Sequence, residues 1–178
     1  KPIYTCQVAE KGGADVDLVV RGRPGHSSVP HADNPLVHLG ESLTRLGGKL
    51  PHRVTPAVRA FFEASAEALR PEVAEVLLGL LNPASCDRSL TEIPAEEPTR
   101  LMFDAMLRNT CAPTLLEAGL KRNVIPSEAK TSLSGRPLPG VTEAEFMAEV
   151  HEMVGEDVDV EFGRYRPGVA FDHETPLH

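Results

Sequence analysis

Asp15-Val16-Asp17-Leu18-Val19-Val20-Arg21 runs directly into Gly22-Arg23-Pro24-Gly25-His26-Ser27-Ser28-Val29-Pro30-His31-Ala32-Asp33-Asn34-Pro35, and the reading of that join decides the fold. Val16, Leu18 and Val20 alternate with Asp15, Asp17, Val19 and Arg21, the period of a strand with one buried face. Gly22 to Gly25 ends the strand. Asn34 is a helix N-cap, Pro35 suits the first helical position, and Gly47-Gly48 is the stop. Leu36, Leu39, Leu43 and Leu46 recur at three- and four-residue steps, which predicts one apolar stripe laid against a sheet.

Working outward, the period changes three more times. Residues 56 to 109 read as two or three helices, with Val58, Phe61, Phe62 and Leu69, then Val73, Val76, Leu77 and Leu80, as apolar sets and a last helix from Thr99 to Arg108. The stretch from Asn82 to Pro98 holds three prolines and several acids and reads as an exposed connection. After Asn109, residues 114–120 and then Ala129, Thr131 and Leu133 read as two strands joined by a loop. Pro137, Pro139 and Gly140 end the second of them. Thr142-x-x-Glu145 is a capping box that opens a helix with Phe146, Val150, Met153 and Val154 inward and Gly155 as its stop. Val158, Val160 and Phe162 alternate as a final strand.

With residues 56–109 set aside as an insert, the order is the split β-α-β pattern. It predicts an α+β fold, a ferredoxin-like two-layer sandwich with a four-stranded antiparallel sheet and both helices on one face. Residues 1–13 lead in without firm structure, 14–165 form the domain, and 166–178 lead out. The start at Lys1 and the end at His178 suggest a piece of a longer polypeptide.

Composition narrows the partners. A net charge of -8 with no Lys/Arg cluster argues against nucleic acid and anionic membrane surfaces. Cys6, Cys86 and Cys111 are odd in number and widely spaced, which fits a reducing, cytoplasmic setting. No apolar run is long enough to span a bilayer, and no signal peptide is recognisable.

His26 is the leading site candidate, because Gly25, Ser27 and Ser28 leave its imidazole reachable; the plainer reading is a loop histidine bonded to a nearby carbonyl. His31 and Asp33 are possible metal ligands, but they share one loop with no second cluster, and Asp33 fits the helix start better. Asn123 and Arg136 stand at the two ends of the central hairpin, where an amide and a guanidinium could hold a carboxylate or simply close a loop and face solvent. Ser27 and Ser28 have no nucleophile elbow and are set aside. No metal site is expected among these residues.

Glu10-Lys11-Gly12, Gly22-x-x-Gly25-His26-Ser27-Ser28-x-Pro30, Asn34-Pro35, Thr114 to Gly119, Asn123-Val124-Ile125-Pro126 and Arg136-x-Leu138-Pro139-Gly140 together resemble, in order, the dimerisation (lid) domain of the zinc-dependent metallopeptidase family of aminoacylases, succinyl-diaminopimelate desuccinylases and carboxypeptidase G. The resemblance spans roughly residues 8 to 165. It implies a lid inserted in a catalytic domain that holds two zinc ions and is missing here, so that this chain alone is inactive and carries no zinc. It implies a homodimer formed through the lid, acting on peptide or N-acyl amino acid amide bonds. It gives His26 the role of reaching into the partner subunit's active site to bind the substrate carbonyl, and Asn123 and Arg136 those of holding the substrate and its carboxylate. The family commonly has Asp two residues before the arginine, where this chain has Ser134. The alternative is a free-standing ferredoxin-like module that binds a small carboxylate ligand.

Overall fold

A computed structural model describes residues 6–171; the remainder of the lead-in and lead-out segments lies outside the described residues. In chain order the elements are β1 (Ala9–Glu10), β2 (Gly13–Arg21), β3 (Gly25–His26), α1 (Pro35–Arg45), α2 (Pro56–Glu67), α3 (Pro71–Gly79), α4 (Cys86–Glu92), α5 (Glu97–Met106), β4 (Thr110–Ala118), β5 (Val124–Ile125), β6 (Glu128–Arg136), α6 (Glu143–Val154), β7 (Asp159–Arg166) and β8 (Val169–Ala170). Four strands form one antiparallel sheet in the order β4-β6-β2-β7. The first long strand is central, and α1 and α6 lie on one face. This is the ferredoxin-like order expected from the split β-α-β pattern.

Alternation along β2 and β6 places Ala14, Val16, Leu18 and Val20 beside Ala129 and Leu133 in one layer. Against them pack Leu39 and Leu46 from the first helix and its exit, and Phe146, Val150 and Val154 from α6. Leu36, expected in the same stripe, is largely exposed. The opposite face of the sheet is polar. Asp17 accepts from Ser132 and pairs with Lys130 at 2.8 Å, while Arg21 binds Glu128 and Asp159. Val19 is buried among these side chains, and among the described residues no second apolar layer covers this face.

Helix boundaries follow local chemistry. The Asn34 side chain accepts from the Leu36 amide at 3.1 Å, and Thr142 and Glu145 form the reciprocal capping box. Four helices carry proline in the first turn, where the missing N–H costs nothing. Two expectations are corrected. Pro98 starts α5 rather than ending a loop, and the supposed exposed connection from Asn82 to Pro98 contains α4, with Cys86, Leu90 and Ile93 buried. The insert is thus four helices with their own core, centred on Phe62, Leu80 and Leu107 and on an edge-to-face pair of Phe62 and Phe103 at 5.2 Å.

Polar bonds join the two cores. Asn109, only 1% exposed, donates to Glu149 Oε2 at 2.7 Å and accepts from the Leu138 amide at 2.7 Å. Arg53 binds the other oxygen of Glu149 at 2.9 and 2.6 Å. Lys11 reaches from the lead-in to the C-terminal end of α5, donating to the carbonyls of Ala105 and Arg108 and to Thr110 Oγ1. An ammonium there meets the negative end of the helix dipole. Residues 9–11, expected to lack firm structure, are fixed by this anchor and by the pairing of β1 with β8.

Candidate functional site

The loop after β2 is held at its far end by a two-residue ladder between β3 and β5, in which Gly25 faces Ile125 and His26 faces Val124. The Ser27 amide adds a bond to the Asn123 carbonyl at 3.1 Å. Asp33 accepts from the Arg23 amide at 3.0 Å and closes the loop on itself. His31 lies beneath it. A Cβ placed on Gly25 would stand 3.0 Å from His31 Nε2, a tight contact that the imidazole would have to yield to, so the glycine favours this close approach. Both ring nitrogens of His31 are buried, with no hydrogen-bond partner among the described residues. His31 and Asp33 therefore build the loop and do not converge as ligands.

This ladder brings His26 and Asn123 together although 97 positions separate them, with His26 Nε2 and Asn123 Nδ2 3.5 Å apart. The Ser28 amide points at His26 Nδ1 from 3.2 Å, and Ser28 Oγ lies 2.8 Å from the same nitrogen. The roles of the two ring nitrogens depend on the tautomer: with Nδ1 accepting from the Ser28 amide, Nε2 carries the hydrogen, and with Nδ1 donating to Ser28 Oγ, Nε2 accepts from Asn123 Nδ2. An exposed imidazole and an exposed amide are thus brought to one place, each able to offer an N–H to a ligand. An oxygen carrying partial or full negative charge is the complementary ligand.

Arg136 is elsewhere. It ends β6, whose other end, Glu128, pairs with Arg21 at the root of the histidine loop. Eight residue steps of strand span about 27 Å. Within one copy, then, no small molecule touches both Arg136 and the His26–Asn123 pair. Arg136 lies instead beside Gly13 and Lys11. Gly12 passes so close to the Arg166 carbonyl and the Gly168 amide that any side chain would collide with backbone, which accounts for the glycine of Glu10-Lys11-Gly12.

Other candidates are committed elsewhere. Burial pushes the Cys111 thiol up to about 12 and raises Cys86 as well, so neither is a nucleophile. Cys86, Asp87 and Asp104 form a cluster that could face a metal ion. Lys49 binds Asp87 at 2.7 Å and Arg108 binds Asp104 at 2.8 Å, however, so the acids are neutralised by cations and the set does not fit zinc. A cavity of about 390 Å³ between Val8, Val58, Phe61, Met102 and Leu138 is apolar and presents no converging donors. Among the described residues, no helix is long and apolar enough to cross a membrane.

With this geometry in view, comparison with known proteins is decisive about family. The peptidase dimerisation domain of M20 peptidases matches residues 8–159. The chain belongs to that family. Among relatives of this dimerisation domain, a probable carboxypeptidase S-like protein of Dictyostelium discoideum is 29% identical over 159 residues, covering 88% of this chain and 29% of the relative. The human N-fatty-acyl-amino acid synthase/hydrolase PM20D1 is 28% identical over 162 residues, covering 88% and 30%. The chain thus spans under a third of the length of these relatives. An M20 metallo-carboxypeptidase of Sulfolobus solfataricus superposes with a TM-score of 0.56 at 17% identity, over 94% of this chain and 46% of that one. A di-peptidase of Saccharomyces cerevisiae gives 0.56 at 11%, over 94% and 38%. At such identities the structural likeness establishes the dimerisation-domain fold.

Proposed function

We propose that this domain pairs two copies of an amide-bond hydrolase and completes each active site, the substrate being a peptide or an N-acyl amino acid. The observation that carries the reading is the meeting of the exposed His26 imidazole and the exposed Asn123 amide, 3.5 Å apart. Donors aimed where charge develops on a scissile carbonyl lower the barrier for attack on it. The zinc ions belong to a catalytic domain outside these residues, because the acid cluster present here is held by lysine and arginine. The names of the relatives, a carboxypeptidase and an N-acyl amino acid hydrolase, support the substrate class.

Self-association is expected along β4. This strand is an outer edge of the sheet, and its Leu115 and Leu116 are 62% and 63% exposed. An unpaired edge with apolar side chains is a template for a second copy. His26 and Asn123 at one end of the sheet then serve the partner subunit's active site, and Arg136 at the other end serves its own. The cytoplasm suits three unpaired thiols.

The test is His26→Ala in the full-length protein. It should lower kcat by roughly 10² to 10³, the usual loss for one oxyanion donor, and change KM far less. Unchanged turnover would assign His26 to the loop's structure. Hydrolysis by residues 1–178 alone, or a tightly held zinc in them, would also overturn the reading.

A further inference from the structure

At the end of the sheet next to β1 and β8, two guanidinium groups flank a residue with no side chain. Gly13 opens β2 and faces Arg166 across the ladder to β7, while Arg136 ends β6 on its other side. Arg166 Nη2 and Arg136 Nη1 lie 3.2 and 3.8 Å from the point where a Cβ on Gly13 would stand. Both arginines are exposed. Among the described residues neither has an ion pair or a side-chain hydrogen bond. The acids of this sheet face are engaged further along: Asp17 with Lys130, and Glu128, Asp159 and Glu161 with Arg21. Asp15 packs beside Gly163, outside ion-pair distance of either arginine. Ser134, two residues before Arg136 in the same strand, carries no charge.

Like charges placed side by side across strands repel. Two planar forks over a glycine floor become favourable once an anion bridges them, and a carboxylate matches their geometry. Lys11 adds positive potential nearby, but its own donors are already given to α5 and Thr110.

We propose that Arg166 is the second arm of a carboxylate clamp, closing with Arg136 over Gly13 on the carboxylate of the substrate. The inference rests on the hydrolase reading above. It adds a residue to the site and assigns that residue to the free carboxylate of a peptide or N-acyl amino acid.

Full-length protein carrying Arg166→Gln should show KM for N-acetyl amino acids raised roughly 10- to 100-fold, the range for losing a charge-assisted bond, with kcat little changed. The corresponding N-acetyl amino acid amides should be insensitive to the substitution, which a merely structural role would not produce. Gly13→Val, which fills the floor, should reproduce the effect. Binding is read separately on the 178-residue chain by ¹⁵N-arginine spectra titrated with N-acetylglycine. Joint shifts of Arg136 and Arg166 that are absent with N-acetylglycinamide support the clamp. Equal response to inorganic phosphate, meaning an adventitious anion only, overturns it. If Arg136→Gln raises KM and Arg166→Gln does not, the clamp fails while the hydrolase reading stands; if the full-length wild type hydrolyses no amide substrate, the hydrolase reading itself fails.

Discussion

Asn109→Ala is expected to be the most damaging single truncation outside the two apolar cores. Its side chain bonds two partners at 2.7 Å, one of them the Glu149 carboxylate and the other the amide of Leu138, which is 2% exposed. Removing the donor takes away a charge-assisted bond, of the class worth about 1.5 to 3 kcal/mol, and removing the acceptor strands a buried amide at about 1 to 3 kcal/mol. Arg53 still binds Glu149, so that charge is not left alone. The combined loss is about 3 to 5 kcal/mol, a large share of the roughly 5 to 15 kcal/mol that hold a domain together. For a chain of this length it should lower Tm by about 10 °C. Urea unfolding followed by far-ultraviolet dichroism measures it, and the slope should also fall if the insert uncouples from the sheet. Asn109→Asp sharpens the test, since it keeps an acceptor for Leu138 but sets a second carboxylate against Glu149. It should be at least as unstable at neutral pH and recover partly in acid. A loss under about 1 kcal/mol for Asn109→Ala, or an unaffected Asn109→Asp, would refute the network as the link between the cores.

Two further outcomes follow from the same structure. Burial pushes the Lys11 ammonium from 10.5 down to about 8, against the pull of Asp104 and with help from the charge of Arg136. Between those values the unfolded chain binds a proton that the folded one has released, so stability rises with pH across the window and the gain is lost as pH falls through about 8. Lys11→Met removes the anchor and should melt lower than wild type, by a margin that widens from pH 8 towards pH 10; a margin constant over that range would contradict the assignment. At the β4 edge, Leu115→Lys with Leu116→Lys should weaken the dimer roughly 100-fold or more, since each leucine buried by a partner contributes about 1.5 to 3 kcal/mol. Sedimentation at micromolar concentration should show wild-type dimer and variant monomer, and a monomeric wild type at high concentration would remove the edge from the interface.

What could be read from residue order alone divides along a physical line. Caps, periodicity and stops act within a few residues, so α1 and α6 were legible from Asn34-Pro35 and from Thr142 and Glu145, and the strand order followed once the insert was set aside. The insert's α4 was not legible, because prolines flanking seven residues look alike whether they break a helix or start one. The links between the cores were invisible for another reason. Arg53, Asn109 and Glu149 lie 40 and 96 positions apart in their pairings, and nothing local marks a polar residue as destined for burial. His26 and Asn123 were each identifiable as candidates, but their meeting depends on a ladder of only two residue pairs between β3 and β5, too short to leave a periodic signal. Arg166 went unnoticed because its significance lies in what it opposes across Gly13.

The separation of the candidate groups constrains how such a domain can work. With about 27 Å of strand between the root of the histidine loop and Arg136, one copy cannot close both groups on one small substrate. The segments at 9–11 and 166–170 lie beside Arg136, through the pairing of β1 with β8 and the anchoring of Lys11, so under the proposed function a catalytic domain joined through these segments would sit near the arginines and far from the histidine. A second copy, paired antiparallel along the β4 edges, would carry its His26 and Asn123 towards the arginine end of the first. Each site would then be whole only in the dimer. Dilution below the dimerisation constant should abolish turnover of the full-length protein, and mixing His26→Ala with Arg136→Gln subunits should restore activity to part of the population, because one site in each mixed dimer regains both groups. Failure of that complementation, with dimers shown to exchange, would place His26 and Arg136 in the service of the same subunit and remove the need for two copies.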